Sequence, residues 1–338
     1  MIHFHVTRRV LISLFALANC LHLISDYISL KFIVANHLQG EFMPRFSRLF
    51  ACALFLALFF AFLPRTARSQ ENPYIVTYDQ FLEEPRNLEV EYFSTYGTQR
   101  GGNDFHAYWL EFEYGATGWW TTEIYLDAQT TFHDSTVFTG FRWENRFRPL
   151  KREHFINPVL YVEYEHVSGA DKILKEIEGH DVESDFLPPN AEARKEIDNE
   201  LELKLILGSN FKGWNASENF LLVKNLAGEP WEFGYAVGAS RPLALKAAAK
   251  RCTFCPQNFV AGVEMYGGLG NTSSFGLNET SQYLAPVVVW NMPSGWTLRA
   301  SPTFGLNGNS HQFMIRWGIA REISGFGDMV KKVFGGHS

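Results

Sequence analysis

Two pairs of glutamates, Glu111/Glu113 and Glu163/Glu165, lie two residues apart in segments that alternate apolar and polar side chains. On a strand, such a pair shares one face with its carboxylates about 7 Å apart. Paired carboxylates do acid–base or glycoside chemistry when their surroundings push their proton affinities apart. The spacing is common on any charged strand face, so it does not by itself argue for a glycosidase. Cys252 and Cys255 form the single CxxC of the chain. No histidine follows Cys255, which excludes the c-type haem pattern, and no second CxxC completes a four-thiolate zinc site. In a secreted chain the pair reads as a local disulfide, with metal binding and redox exchange as alternatives. His106, His133, His154, His166, His180 and His311 are scattered, and no HExxH joins any two of them. Asn309, Ser310 and His311 cluster at one turn without a surrounding catalytic motif and read as turn chemistry. These residues predict no catalytic centre, no cofactor and no metal site.

The elements that would position them follow from a period of two. Leu201, Leu203, Leu205 and Leu207 alternate with Glu200, Glu202 and Lys204, the signature of a strand with one oily and one polar face. Twelve such segments run over 88–96, 104–115, 118–130, 135–148, 156–167, 199–210, 217–225, 230–240, 258–267, 281–291, 295–305 and 310–323. The fold class this predicts is all-β: a single antiparallel, up-and-down transmembrane β-barrel of about twelve strands with a polar lumen. A mean hydropathy of −0.12 is too low for a helical membrane bundle, but a barrel with a polar interior is compatible with it. In the fourth strand Val137, Phe141, Trp143 and Phe147 are assigned to the oily face. Tyr114, Trp120, Tyr164, Trp231, Trp290 and Trp296 stand near strand ends, as an aromatic girdle requires.

The polar faces predict the lumen lining: Glu111, Glu113, Glu123, Asp127, Arg142, Glu144, Arg146, Glu163, Glu165, Glu200, Glu202, Lys204, Glu264, Arg299 and Arg316. Glu89 and Glu91 share that face. Twelve strands enclose a bore between the filled interior of eight strands and the open channel of sixteen or more. The charges therefore either line a wet passage or pair across it and close it.

Residues 43–69, MPRFSRLFACALFLALFFAFLPRTARS, have the basic, apolar and small-residue parts of a secretory signal. Residues 1–42 then read as an over-extended start, 70–87 as a short leader, 88–323 as the barrel and 324–338 as a tail. Residues 1–69 hold seven of the 30 Lys/Arg and two of the 36 Asp/Glu, so the remainder carries a net charge of −11. That balance excludes a nucleic-acid partner and suits attraction of cations. Turns two (115–118) and ten (293–295) are tight, whereas turn five (168–198) and turn nine (267–281) are long and polar. Turn eight (241–257) is long where a short turn is expected. Short helices are expected around Ile173, Leu174 and Ile177 and in PLALKAAAK.

The strings FTGFRWENRFRP, INPVLYVEYEHV, EPWEFGYAVGASRPL and FVAGVEMYGGLG, with the signal and the aromatic strand ends, resemble the Gram-negative outer-membrane β-barrels. Within that group the chain is loosely similar to uncharacterised outer-membrane transporters. It departs from the group's pattern in ending beyond its last strand, with GFGDMVKKVFGGHS after Ile323. The resemblance implies a non-enzymatic barrel in the outer membrane of a Gram-negative bacterium. Its implied partners are outer-membrane lipid, the barrel assembly machinery and a small solute. The leading expectation is a barrel that passes or gates that solute with modest cation preference. The alternatives are a structural or surface-binding barrel, and a soluble periplasmic barrel that holds an apolar ligand inside.

Overall fold

The computed structural model describes residues 72–99, 101–173, 188–246, 252–277 and 279–334. The start and signal segments, His180, most of the helix expected around Ile173–Ile177 and the last four residues of PLALKAAAK lie outside these. Twelve strands follow one another: β1 (Leu88–Thr98), β2 (Phe105–Thr117), β3 (Trp120–Thr131), β4 (Thr136–Phe147), β5 (Asn157–Ser168) and β6 (Ile197–Phe211), then β7 (Trp214–Asn225), β8 (Trp231–Pro242), β9 (Phe259–Asn271), β10 (Gln282–Asn291), β11 (Trp296–Gly305) and β12 (Phe313–Ile323). Their bounds fall within four residues of the segments read from alternation. Each strand pairs antiparallel with its sequence neighbours, and β1 closes the sheet on β12 from Leu88↔Ile323 to Thr98↔Phe313. Two short α-helices, α1 (Asn190–Ala193) in the β5–β6 connection and α2 (Phe326–Phe334) after β12, and a 3-10 turn at Pro256–Asn258 complete the described fold.

The pleat sends alternate side chains in and out, and the two faces differ as the alternation requires. Outside, Ile124 is 49% exposed, Trp143 52% and Val288 52%. Inside, Glu123, Glu144, Glu163 and Glu264 are buried. Oil points out and charge points in. A soluble barrel with an apolar ligand inside needs the reverse, so that alternative is corrected here.

The register shifts in three strand pairs, β2–β3, β3–β4 and β8–β9, and the shift on β4 changes which residues face out. A bulge at Thr139 and Gly140 on β4 pairs Asp127 with Gly140 but Ala128 with Phe138. The extra residue inverts the pattern beyond it. Phe138 therefore faces out at 64% exposure, while Val137 pairs with the buried Gln129. Val137 belongs to the inward face, not to the oily face with Phe141.

The end of the barrel that carries the start of β1 and the end of β12 is called the terminal end here, and the opposite one the far end. At the terminal end the β6–β7 turn is two residues long. Lys212 (φ 50°) and Gly213 (φ 83°) both adopt positive φ, the type I′ geometry that matches strand twist. Turn eight, also at this end, is long because it holds a separate small structure. Cys252 and Cys255 are joined by a disulfide, Phe254 stacks on Trp290 at 4.8 Å, and Trp290 Nε1 donates to the Thr253 carbonyl at 3.0 Å. No described helix is long and apolar enough to cross a membrane.

Candidate functional site

The inward face of β8 offers Gly234, Ala236 and Gly238, and that of β10 offers Ala285, Val287 and Val289. A wall of small apolar residues leaves volume that something must fill, because cavities forfeit contacts. The leader fills it. Tyr74 is fully buried against Gly238, Val287 and Val289, and its hydroxyl donates to Asn215 Oδ1 on β7 at 2.7 Å. Tyr78 and Asn219 exchange two hydrogen bonds, backbone N–H to Oδ1 at 2.6 Å and Nδ2 to carbonyl at 2.9 Å. The Glu83 backbone N–H donates to Glu113 Oε1 at 3.2 Å.

Glu264 holds the centre of the leader. Its Oε1 accepts the Ile75 N–H at 2.7 Å, and its Oε2 accepts those of Val76 at 2.9 Å and Thr77 at 2.7 Å. Three consecutive backbone donors thus close on one buried carboxylate, a nest for an anion. Glu264 is in the lumen, but it binds the chain's own backbone there.

The remaining predicted lining residues all face the interior, and most of them form ion pairs. Arg146 touches Glu113 at 2.5 Å, Glu144 at 2.9 Å and Glu123. Tyr125 Oη lies 2.6 Å from Glu123 and 2.8 Å from Glu144. Arg142 grips Asp127 with two bonds of 3.1 Å, lies 3.7 Å from Glu163 and stacks over the Tyr125 ring at 4.1 Å. Lys204 pairs with Glu202 at 2.8 Å and sits 4.1 Å over Tyr161. Glu200 accepts from Asn225 at 3.0 Å. Arg299 pairs with Glu91 at 2.8 Å, and Arg316 donates to the Tyr266 hydroxyl at 3.0 Å. Glu111 and Glu165 line the space that is left. That space is a cavity of about 150 Å³ bordered by Tyr78, Trp109, Glu111, Tyr125, Arg142 and Glu163, among others. It has room for a few waters or a small polar solute. One oxygen each of Glu111, Glu113 and Glu123 comes within 4.8 Å of the others, but the Arg146 guanidinium already occupies the position between Glu113 and Glu123.

A second segment enters the lumen at the far end. The start of turn five, Ala170–Ile173, folds into the mouth. Gln129 donates to the Ala170 carbonyl at 2.8 Å and accepts the Lys172 N–H at 3.0 Å. Thr139 donates to Asp171 at 2.8 Å. Ile173 joins Phe105, Tyr266, Tyr283 and Met314 in an apolar cluster against which Val76 of the leader also packs. Leader and lid therefore meet on one core.

His311 Nε2 lies 2.7 Å from the Lys172 carbonyl, which can only accept, so Nε2 carries the proton. Burial above all pushes the His311 imidazole down to about 4; the bond to the Lys172 carbonyl opposes this in part, and the Lys172 and Arg316 cations add to it. The unfolded chain takes up this proton near pH 6.5, whereas the folded one refuses it until about pH 4. Stability linked to His311 is thus full above pH 6.5 and falls as the pH drops toward 4, by roughly 3 kcal/mol in all. Protease cleavage in turn five is expected to accelerate between pH 6.5 and 4.5, and to lose most of that pH dependence in His311→Gln. A flat wild-type profile would contradict the role of His311 as the lid's latch.

Among the described residues, the other chemistry-bearing side chains do not assemble. Ser310 Oγ donates to the Gln282 carbonyl or Asn307 Oδ1, while His311 faces the lid, so the two make no nucleophile–base pair. His106 meets Ser94 at 2.8 Å, and His166 meets Asn199 at 2.8 Å.

No described protein family matches the chain, and no curated protein does. Solved structures similar to it include the KdgM porin, at 8% identity and a TM-score of 0.44 over 69% of this chain and 98% of the other. An outer-membrane channel from Pseudomonas putida F1 follows, at 9% identity and 0.44 over 76% and 100%. The NanC porin gives 10% and 0.40 over 69% and 97%.

Proposed function

We propose that the chain is a non-enzymatic outer-membrane barrel of a Gram-negative bacterium that gates passage of a small solute, with a preference for cations. The observation that carries this reading is the inversion of the faces: an apolar outer belt around an acid-rich interior that keeps a polar cavity. A closed wall with oil outside suits a bilayer, where an open sheet edge is not tolerated. The leader and the lid make this the occluded state of a gate, since each stopper rests on a small number of polar contacts. The secretory-type segment at 43–69 supports the location.

The filled lumen also favours a second reading, a structural or surface-binding barrel whose interior never opens. Reversal potentials across planar bilayers separate the two. Under a KCl gradient, openings of the full chain are expected to be brief, with a reversal potential shifted toward that of potassium. Anion preference would overturn the selectivity. Silence of the full chain and of a variant lacking residues 170–173 would favour the structural reading.

A further inference from the structure

The charges on the two rims are unequal, and the inequality runs against the balance of the chain. Between residues 233 and 257 the sequence holds four bases and no acid. Of these, Arg241 and Lys246 are described and exposed at the terminal end. Lys151 and Arg152 in the β4–β5 turn and Lys212 in the β6–β7 turn are exposed at the same end, against the acids Glu84 and Glu153 and the Asp328 that pairs with Arg86. The described far end carries Asp104, Asp134, Glu192, Glu196, Asp198 and Glu229 against Arg194 and Lys195. A chain whose net charge is negative thus gathers much of its positive charge on one ring.

That ring borders the apolar belt. Trp119 is exposed there, and the exposed Arg241 places its guanidinium 5.6 Å over the Trp214 ring. Aromatic rings with cations just beyond them mark the level where hydrocarbon meets headgroups.

Helix α2 adds an independent observation. Phe326, Met329, Val330 and Val333 fall on one face, and Asp328, Lys331 and Lys332 on the other. Its first turn is fixed to the rim: Phe326 packs edge-on to the outward-facing Tyr114, and the Gly327 N–H donates to the Arg86 carbonyl at 2.9 Å. Beyond that turn Met329, Val330 and Val333 are exposed, Val333 at 60%. A helix that starts at the margin of the belt with an uncovered oily face and a basic back has the build of an interfacial helix.

We propose that the terminal rim is a binding collar for anionic phospholipid, with α2 lying in the headgroup layer and the rim cations contacting the phosphates. The idea rests on the membrane-barrel reading. Charge complementarity selects the occupant, since zwitterionic headgroups offer these cations no net attraction and anionic ones do.

The test uses the full chain in vesicles of phosphatidylcholine mixed with phosphatidylglycerol, one lipid at a time carrying a brominated chain that quenches tryptophan. The relative binding constant of phosphatidylglycerol is expected to be at least roughly threefold that of phosphatidylcholine. It should approach one in the combined variant Arg241→Gln, Lys246→Gln, Lys331→Gln, Lys332→Gln, and also in salt of about 0.5 M. Equal quenching by the two lipids in the wild type would overturn the collar and leave the membrane reading standing. A variant that kept the wild-type preference would do the same, and quenching by neither lipid would remove the membrane reading itself. For α2, trypsin should cut at Lys331 and Lys332 more slowly in phosphatidylglycerol vesicles than in detergent, and Val333→Asp should abolish the difference. Equal rates for wild type and variant in vesicles would remove the helix from the headgroup layer. Preference lost in vesicles but salt-sensitive capture of an acidic protein would assign the rim to a protein partner instead.

Discussion

Replacing Glu264 by alanine is expected to withdraw the leader and turn an occluded barrel into a conducting one. The substitution removes the acceptor of three backbone N–H groups. Left in place, Ile75, Val76 and Thr77 would each bury an unsatisfied donor, at about 1–3 kcal/mol apiece. The segment escapes that cost by withdrawing from the lumen into water. Even the lower bound of ~3 kcal/mol shifts the ratio of seated to withdrawn leader by about two orders of magnitude. Tyr74 and Asn219 still favour the seated form, so the variant should flicker between states. The readouts are open probability in planar bilayers and chymotrypsin cleavage after Tyr78 or Phe81. Glu264→Gln should fall between, because its oxygen still accepts while its amide group faces donors with another donor. A Glu264→Ala barrel as silent and as protease-resistant as wild type would refute the leader as the gate.

The second large effect concerns Arg146. Its guanidinium is buried among Glu113, Glu123 and Glu144, and it lies 5.1 Å from the Tyr78 ring centroid. Arg146→Met leaves three buried carboxylates facing one another. Breaking a buried pair from one side costs about 3–5 kcal/mol, because the abandoned charge keeps its desolvation penalty. The expected result is a marked fall in the urea midpoint of the detergent-solubilised barrel. The companion variant separates charge from packing: Arg146→Met with Glu113→Gln, Glu123→Gln and Glu144→Gln should recover most of the loss. If the single variant unfolds at the wild-type midpoint, the cluster is wet and screened, and the lumen is more open than its geometry indicates.

Much of the barrel wall was legible in the sequence, for a physical reason. A strand with an apolar outer face and a largely polar inner face alternates its residue types, so most strand residues report their own face. Val137 was misread because a bulge adds one residue without changing composition. The filling was not legible in the same way. The leader has no period, and its seat on Glu264 uses backbone N–H groups that every residue type supplies. The clue lay on the opposite wall, where Gly234, Ala236 and Gly238 are too small to line a twelve-stranded bore. Turn eight looked misplaced by length alone, whereas the disulfide and the Phe254–Trp290 stack give it a compact form at the terminal end. Helix α2 was missed inside a tail whose apolar spacing is helical but spans only nine residues.

The bond between Arg299 on β11 and Glu91 on β1 has a consequence for biogenesis. It passes behind β12, and a side chain at Gly318 would collide with the Glu91 carboxylate. β1 is synthesised first, and β11 and β12 last, so this contact forms only when the chain's two ends meet. A slip of one residue in the β1–β12 register would turn Glu91 to the apolar outer face, and a slip of two would bring Arg316 or Ala320 to the place of Gly318. Either error strands a charge where solvation is poorest. The pair thus serves as a checksum on closure, rewarding the one alignment in which the last stave of the barrel meets the first.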